Sequence, residues 1–205
     1  MLVGAAVIGI LGYTFILGIP VRGANVFDYF GFFTNLTSLL SAAVLLATGA
    51  LTLRGAGQPG WLVSVRAAAV ASMLVVGLVY NLVVPGTGSA PAWVSVALHT
   101  VLPVALLVDW TVVADRPALP WSRLWVVLPY PVIWLTVVLV RGATDGWVPY
   151  GFLLPERGVL ALTGTVLALL GALLTAGAAV WALSRVGSPS ASPAESRARQ
   201  AARQP

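Results

Sequence analysis

The chain contains no cysteine, no lysine and a single histidine, and charged residues occupy only 8% of its 205 positions. Without cysteine there is no disulfide, no thiolate nucleophile and no Cys-based metal site. One histidine cannot give bis-histidine haem ligation, and it leaves too few ligands for zinc. No metal and no cofactor is expected. A soluble domain carries about a quarter charged residues. This chain is 59% hydrophobic with a mean hydropathy of +0.96, more apolar surface than one water-soluble core can hide. The composition is that of an integral membrane protein. Its net charge of +5 comes from arginines scattered singly between apolar runs, so no nucleic-acid role is assigned.

What is abundant is apolar run punctuated by Gly and Pro. Six runs read as membrane-crossing helices: about 2–19, 26–53, 61–84, 91–114, 121–140 and 157–183, each long enough at about 1.5 Å per residue. The expected fold is therefore all-α, a polytopic bundle of six transmembrane helices over residues 1–184. The Ser-, Pro-, Ala- and Arg-rich segment 185–205 has no apolar period and reads as a disordered tail. The first run lacks a basic leader and a small-residue cleavage motif, so it reads as a retained span. With the N-terminus inside, inner segments hold Arg54, Arg66, Arg116, Arg123, Arg185, Arg197, Arg199 and Arg203, against Arg22, Arg141 and Arg157 outside. The bias places both termini in the cytoplasm. The loop 141–156, with Trp147, Pro149 and Tyr150, suits a cap at the interface.

One stretch breaks the apolar pattern. In FDYFGFFTNLTSLLS, residues 27–41, Thr34, Thr37, Ser38 and Ser41 recur at helical spacing and form a polar stripe that must face protein. The matching polar group is His99 on the fourth span. Thr34 and His99 each lie about eight residues in from the same face, roughly 12 Å deep, so they can meet. An imidazole beside a threonine hydroxyl is a minimal base and nucleophile pair for attack on an ester carbonyl. Pro103 cannot donate to the carbonyl of residue 99, which predicts a kink at the histidine and a freed carbonyl in need of a partner. Asn35, Asn81 and Asp28 are candidates to orient the ring, and Asn35 or Asn81 to meet an oxyanion. The bland alternatives are packing roles: helix hydroxyls usually bond their own helix, as expected for Thr37, Ser38 or Ser41, and a lone histidine is usually structural.

The segments YFGFFTNLTSLL, ALHTVLPVALLVDW and WVPYGFLLP, in this order and spacing, resemble three signature regions of the androgen-induced and androgen-dependent membrane proteins and their bacterial six-span relatives. Of these, HTVLP around His99 is the most specific. The animal members are threonine hydrolases that cleave fatty acid esters of hydroxy fatty acids. The resemblance implies Thr34 as nucleophile and His99 as base, with a membrane lipid as substrate and the bilayer as its source. It also implies a multi-pass protein of a bacterial plasma membrane. Phe30 and Phe33, with Asn35 and Asn81, are then the expected substrate-binding residues. Two other readings use the same residues without turnover: a lipid or solute carrier, and an assembly partner whose small residues on span six mediate helix contact.

Overall fold

The computed structural model describes residues 1–113 and 116–186. Residues 187–205, most of the expected tail, lie outside the described residues. Helices α1 (Leu2–Arg22), α2 (Val26–Gly31), α3 (Phe33–Leu53), α4 (Gly60–Leu82), α5 (Ala92–Val96), α6 (Leu102–Val112), α7 (Pro129–Thr144) and α8 (Val159–Leu183) follow in order. A π turn, Ala97–Val101, joins α5 to α6, and a 3-10 segment, Trp121–Val127, leads into α7. The fold is all-helical, with no strand among the described residues. Six crossings, with α5–α6 and the 3-10 segment plus α7 each counting as one, are long and apolar enough to span a bilayer. The protein is an integral, multi-pass membrane protein.

The break between α2 and α3 departs from the expected single span over 26–53. Phe32 is extended, with φ −68° and ψ 124°, next to Gly31, a poor helix former. The break is stitched by side chains: Trp134 Nε1 donates to the Gly31 carbonyl at 2.8 Å, and Asn35 Nδ2 to the Tyr29 carbonyl at 2.8 Å. These satisfy carbonyls that the end of a helix leaves open. α2 is further tied to α1 by the Tyr29 hydroxyl, which donates to the Leu11 carbonyl at 2.8 Å and lies 2.6 Å from the Thr14 hydroxyl. At the end of α1, Pro20 is tolerated in the last turn and the helix runs on to Arg22. Gly23, at φ 72°, stops it by a conformation that favours glycine.

α4 is the centre of the bundle. Within its most apolar stretch 72% of residues are buried, against 11–33% in the other crossings, whose exposed apolar faces meet lipid. It packs on α3, α6, α8 and the 3-10 segment. Its small residues Ala67, Ala68, Ala69, Ala71 and Ser72 allow that close approach. Near the end away from the α2–α3 break, α4 carries the buried Arg66, which pairs with Asp109 at 2.6 Å. Beside this pair Trp110 is fully buried; its Nε1 donates to the Val180 carbonyl at 2.9 Å, and the Arg116 guanidinium lies 3.8 Å from its ring centroid.

Trp110 therefore joins α6 to α8 through shape and a hydrogen bond, and to Arg116 of the following segment through a cation–π contact. Trp110→Ala is expected to cost about 3–5 kcal/mol, read as a lowered midpoint of thermal unfolding for the purified protein in detergent.

Candidate active site

The break at Phe32 puts Thr34 in the first turn of α3, rather than about eight residues inside a continuous helix. The first intrahelical bond of α3 runs from the Leu36 N–H to the Phe32 carbonyl at 3.1 Å, so the N–H groups of residues 33–35 have no acceptor within the helix. The Thr34 N–H instead donates to the Tyr150 hydroxyl, at 3.4 Å. Thr34 and His99 do meet: Thr34 Oγ1 lies 3.2 Å from His99 Nε2. Thr34 is 8% exposed, and His99 is partly buried.

His99 is fixed on three sides. Its Nδ1 lies 2.9 Å from the Ser95 carbonyl. A carbonyl only accepts, so Nδ1 carries the proton and Nε2 presents its lone pair to the Thr34 hydroxyl. Against the ring face, Tyr80 stacks with centroids 3.8 Å apart and planes at 18°. The ring-orienting group is thus a backbone carbonyl one turn earlier, and not Asn35, Asn81 or Asp28. Sequence reasoning missed Tyr80 altogether; its spacing from Asn81, one residue on, carries no signal of a stack across helices.

The expected distortion at Pro103 is present as the π turn Ala97–Val101, in which the Leu102 N–H reaches back to the Ala97 carbonyl. The His99 carbonyl, denied its helical donor by Pro103, accepts from Asn81 Nδ2 at 3.1 Å. The same amide also donates to the Gly77 carbonyl at 2.8 Å, and its oxygen accepts from the Thr100 hydroxyl at 3.3 Å. This needs α4 to come close. A Cβ on Gly77 would sit 3.1 Å from the His99 carbonyl oxygen and 3.3 Å from Pro103 Cγ. Asn81 is therefore a backbone anchor. Asn35 is likewise committed, to the Tyr29 carbonyl.

The aromatic candidates divide. Phe33 is packed into the core, stacked on Tyr130 at 5.5 Å and tilted on Trp134 at 4.8 Å. Phe30 is half-buried against Tyr29, with centroids 5.0 Å apart. A recess of about 250 Å³ is lined by Tyr80, Ser95, Val96 and the 86–90 loop; it reaches the residues that hold His99, and neither Thr34 nor His99 lines it. Below Thr34 on the α3 stripe, Thr37 bonds the Tyr130 hydroxyl at 2.8 Å. Ser38 and Ser41, with Ser72 on α4, are buried hydroxyls without a hydrogen-bond partner.

The loop 145–158 roofs the site, as its Trp and Tyr content suggested. Trp147 lies against Gly31 so closely that a Cβ there would overlap its ring. Arg141 holds the roof: its guanidinium is 4.2 Å from the Trp147 ring centroid and pairs with both Asp28 and Asp145 at 2.9 Å. Tyr150 stacks on Phe152 at 5.2 Å and packs edge-on to Phe32 at 5.8 Å. Burial pushes the Tyr150 phenol up, so it is a neutral O–H at physiological pH.

No protein-family model, curated protein or solved structure matches this chain.

Two expectations follow from this geometry. Gly77→Val drives a side chain into the His99 carbonyl and Pro103, and should cost about 1–3 kcal/mol in thermal unfolding, with Asn81→Ala costing a similar amount through the unpaired carbonyls. The Trp147 N–H, and after it Arg141, hold the Asp145 carboxyl below the usual carboxylate range. A depressed pKa gives a contribution that is complete above the unfolded value and disappears as pH falls through the folded one. The protection factors of the 145–158 loop amides, that is, exchange corrected for the pH dependence of the intrinsic rate, should hence be flat from neutrality down to about pH 4 and fall only below it.

Proposed function

We propose that the protein is an intramembrane hydrolase of lipid esters, with Thr34 as nucleophile and His99 as its general base. The observation that carries this reading is the directed contact between Thr34 Oγ1 and His99 Nε2, in a tautomer set by the Ser95 carbonyl. A merely structural histidine needs no lone pair aimed at a hydroxyl. In the reaction, Nε2 takes the Thr34 proton as Oγ1 bonds to the ester carbon, and the imidazolium returns that proton to the departing alkoxide. Water attacking the acyl-threonine, with Nε2 again as base, frees the carboxylic acid and restores the threonine. The start of α3, whose first N–H groups have no acceptor within the helix, adds a positive dipole end where negative charge develops.

The resemblance of the Thr34, His99 and Tyr150 segments to the androgen-induced and androgen-dependent proteins supports the substrate class: branched fatty acid esters of hydroxy fatty acids, dissolved in the bilayer. The recess beside Tyr80 and Ser95 supports an aqueous mouth for the hydrolytic water. We place that mouth on the outer face of a bacterial plasma membrane, with both termini cytoplasmic, because most arginines follow the other face. A second reading is a solute carrier without turnover; the partnerless buried hydroxyls of Ser38, Ser41 and Ser72 favour it, since such groups suit a hydrated path.

Purified protein in detergent should release fatty acid from a branched fatty acid ester of a hydroxy fatty acid. Thr34→Ala and His99→Ala should each lower kcat by at least about 10³-fold without changing expression or unfolding temperature. Turnover that survives both substitutions rejects the assignment. Flux of solute into reconstituted vesicles without any ester cleavage would favour the carrier.

A further inference from the structure

We propose that Tyr150, on the roofing loop, is a catalytic residue of this site, its phenol O–H donating to the oxyanion formed when Thr34 attacks an ester. This assignment rests on the hydrolase reading and adds to it the electrophilic group that a nucleophile and base alone do not provide. A tetrahedral intermediate needs a donor placed in advance where the carbonyl oxygen becomes charged.

The residue types that suggest themselves for this role are already engaged. Asn35 Nδ2 donates to the Tyr29 carbonyl, and Asn81 Nδ2 to the Gly77 and His99 carbonyls. Diverting either amide would take from a backbone carbonyl its side-chain donor, at the α2–α3 break or at the π turn. Tyr150 differs. Its hydroxyl oxygen accepts from the Thr34 N–H at 3.4 Å and the Thr34 side chain also hydrogen-bonds the phenol, which positions the phenol O–H beside the nucleophile, where the oxyanion would compete for its proton. Burial keeps that proton on at neutral pH.

The phenol is held chiefly by its ring. Stacking on Phe152, with planes 2° apart, an edge contact to Phe32 and a tilted contact to Trp134 fix the ring on three sides. Trp147 and Arg141 fix the loop that carries it. A rigidly placed donor that needs no rearrangement as charge appears is what electrostatic stabilisation requires. In the balanced step, the Thr34 proton moves to His99 Nε2, the Oγ1–C bond forms, and the carbonyl π pair moves to oxygen, where the Tyr150 O–H donates without transferring its proton. Collapse returns the pair to the carbonyl, breaks the C–O bond to the alcohol and delivers the Nε2 proton to it. The same donor serves deacylation.

Tyr150→Phe keeps the ring contacts and removes only the hydroxyl. With the full-length protein in detergent and a branched fatty acid ester of a hydroxy fatty acid as substrate, kcat should fall about 10²-fold with KM within about twofold, because the ground-state carbonyl gains little from this donor. A trifluoromethyl ketone analogue, which adds Thr34 to form a tetrahedral oxyanion, should lose affinity by a factor matching the loss in kcat. A role confined to packing would not produce that match. Should Tyr150→Phe fail to fold, 3-fluorotyrosine at 150 keeps ring and hydroxyl while making the phenol more acidic, and kcat should rise; an unchanged kcat overturns the assignment. Wild-type activity with an unaffected Tyr150→Phe removes Tyr150 and leaves the Thr34–His99 reading standing. A wild type with no esterase activity removes both.

Discussion

The structure turns on a backbone carbonyl that a proline has deprived of its donor. In a bilayer no water is at hand to take the place of a missing N–H, so the His99 carbonyl must find a partner inside the protein. Asn81 supplies it, Gly77 gives the room, and α4 is thereby drawn against the π turn. The same turn sets the pitch at which Ser95 and His99 stack, so that the imidazole bonds back to the Ser95 carbonyl and points its other nitrogen outward. A packing necessity and a chemical orientation are met by one distortion, which fits the frequent appearance of π turns at functional sites.

The second half of the site is built by the opposite device. At Phe32 the chain leaves the helix and restarts it, so Thr34 stands at a helix start and turns its N–H to the Tyr150 hydroxyl of the roof. The break is stable because side chains from two other places, Asn35 and Trp134, take up the carbonyls of α2. The roof then closes over it through Trp147 on Gly31. Two irregular segments, one from the second crossing and one from the fourth, face each other at one level of the bundle. Regular helices hold both in place.

How much of this the residues disclosed can be argued from particular elements. The six apolar runs, their Gly and Pro boundaries and the depth shared by Thr34 and His99 were legible because hydropathy and helical rise are properties of the chain itself. Pro103 announced a freed carbonyl, and the loop's Trp and Tyr announced a cap. The break at Phe32 was not legible: Gly31 and Phe32 sit in an unbroken aromatic run with no proline, and it is Trp134, a hundred residues on, that makes the interruption affordable. The part of Ser95 was not legible, since it acts through its carbonyl, which every residue has. The stack of Tyr80 on His99 depends on how two helices approach and has no mark in either segment alone. Phe33 shows the converse error of reading an aromatic near a site as a contact for ligand, when its neighbours Tyr130 and Trp134 bury it.

The central position of α4 bears on how the molecule comes to be. Its sequence is apolar enough to cross a bilayer unaided, yet in the finished bundle most of its surface touches protein. Two of the elements that enclose it, α6 and α8, follow it along the chain and are made later. Until they arrive, its alanine-rich flanks are wetted by acyl chains and Arg66 lacks the carboxylate of Asp109. Assembly therefore amounts to peeling lipid from one helix and replacing it with α6 and α8 as each is delivered.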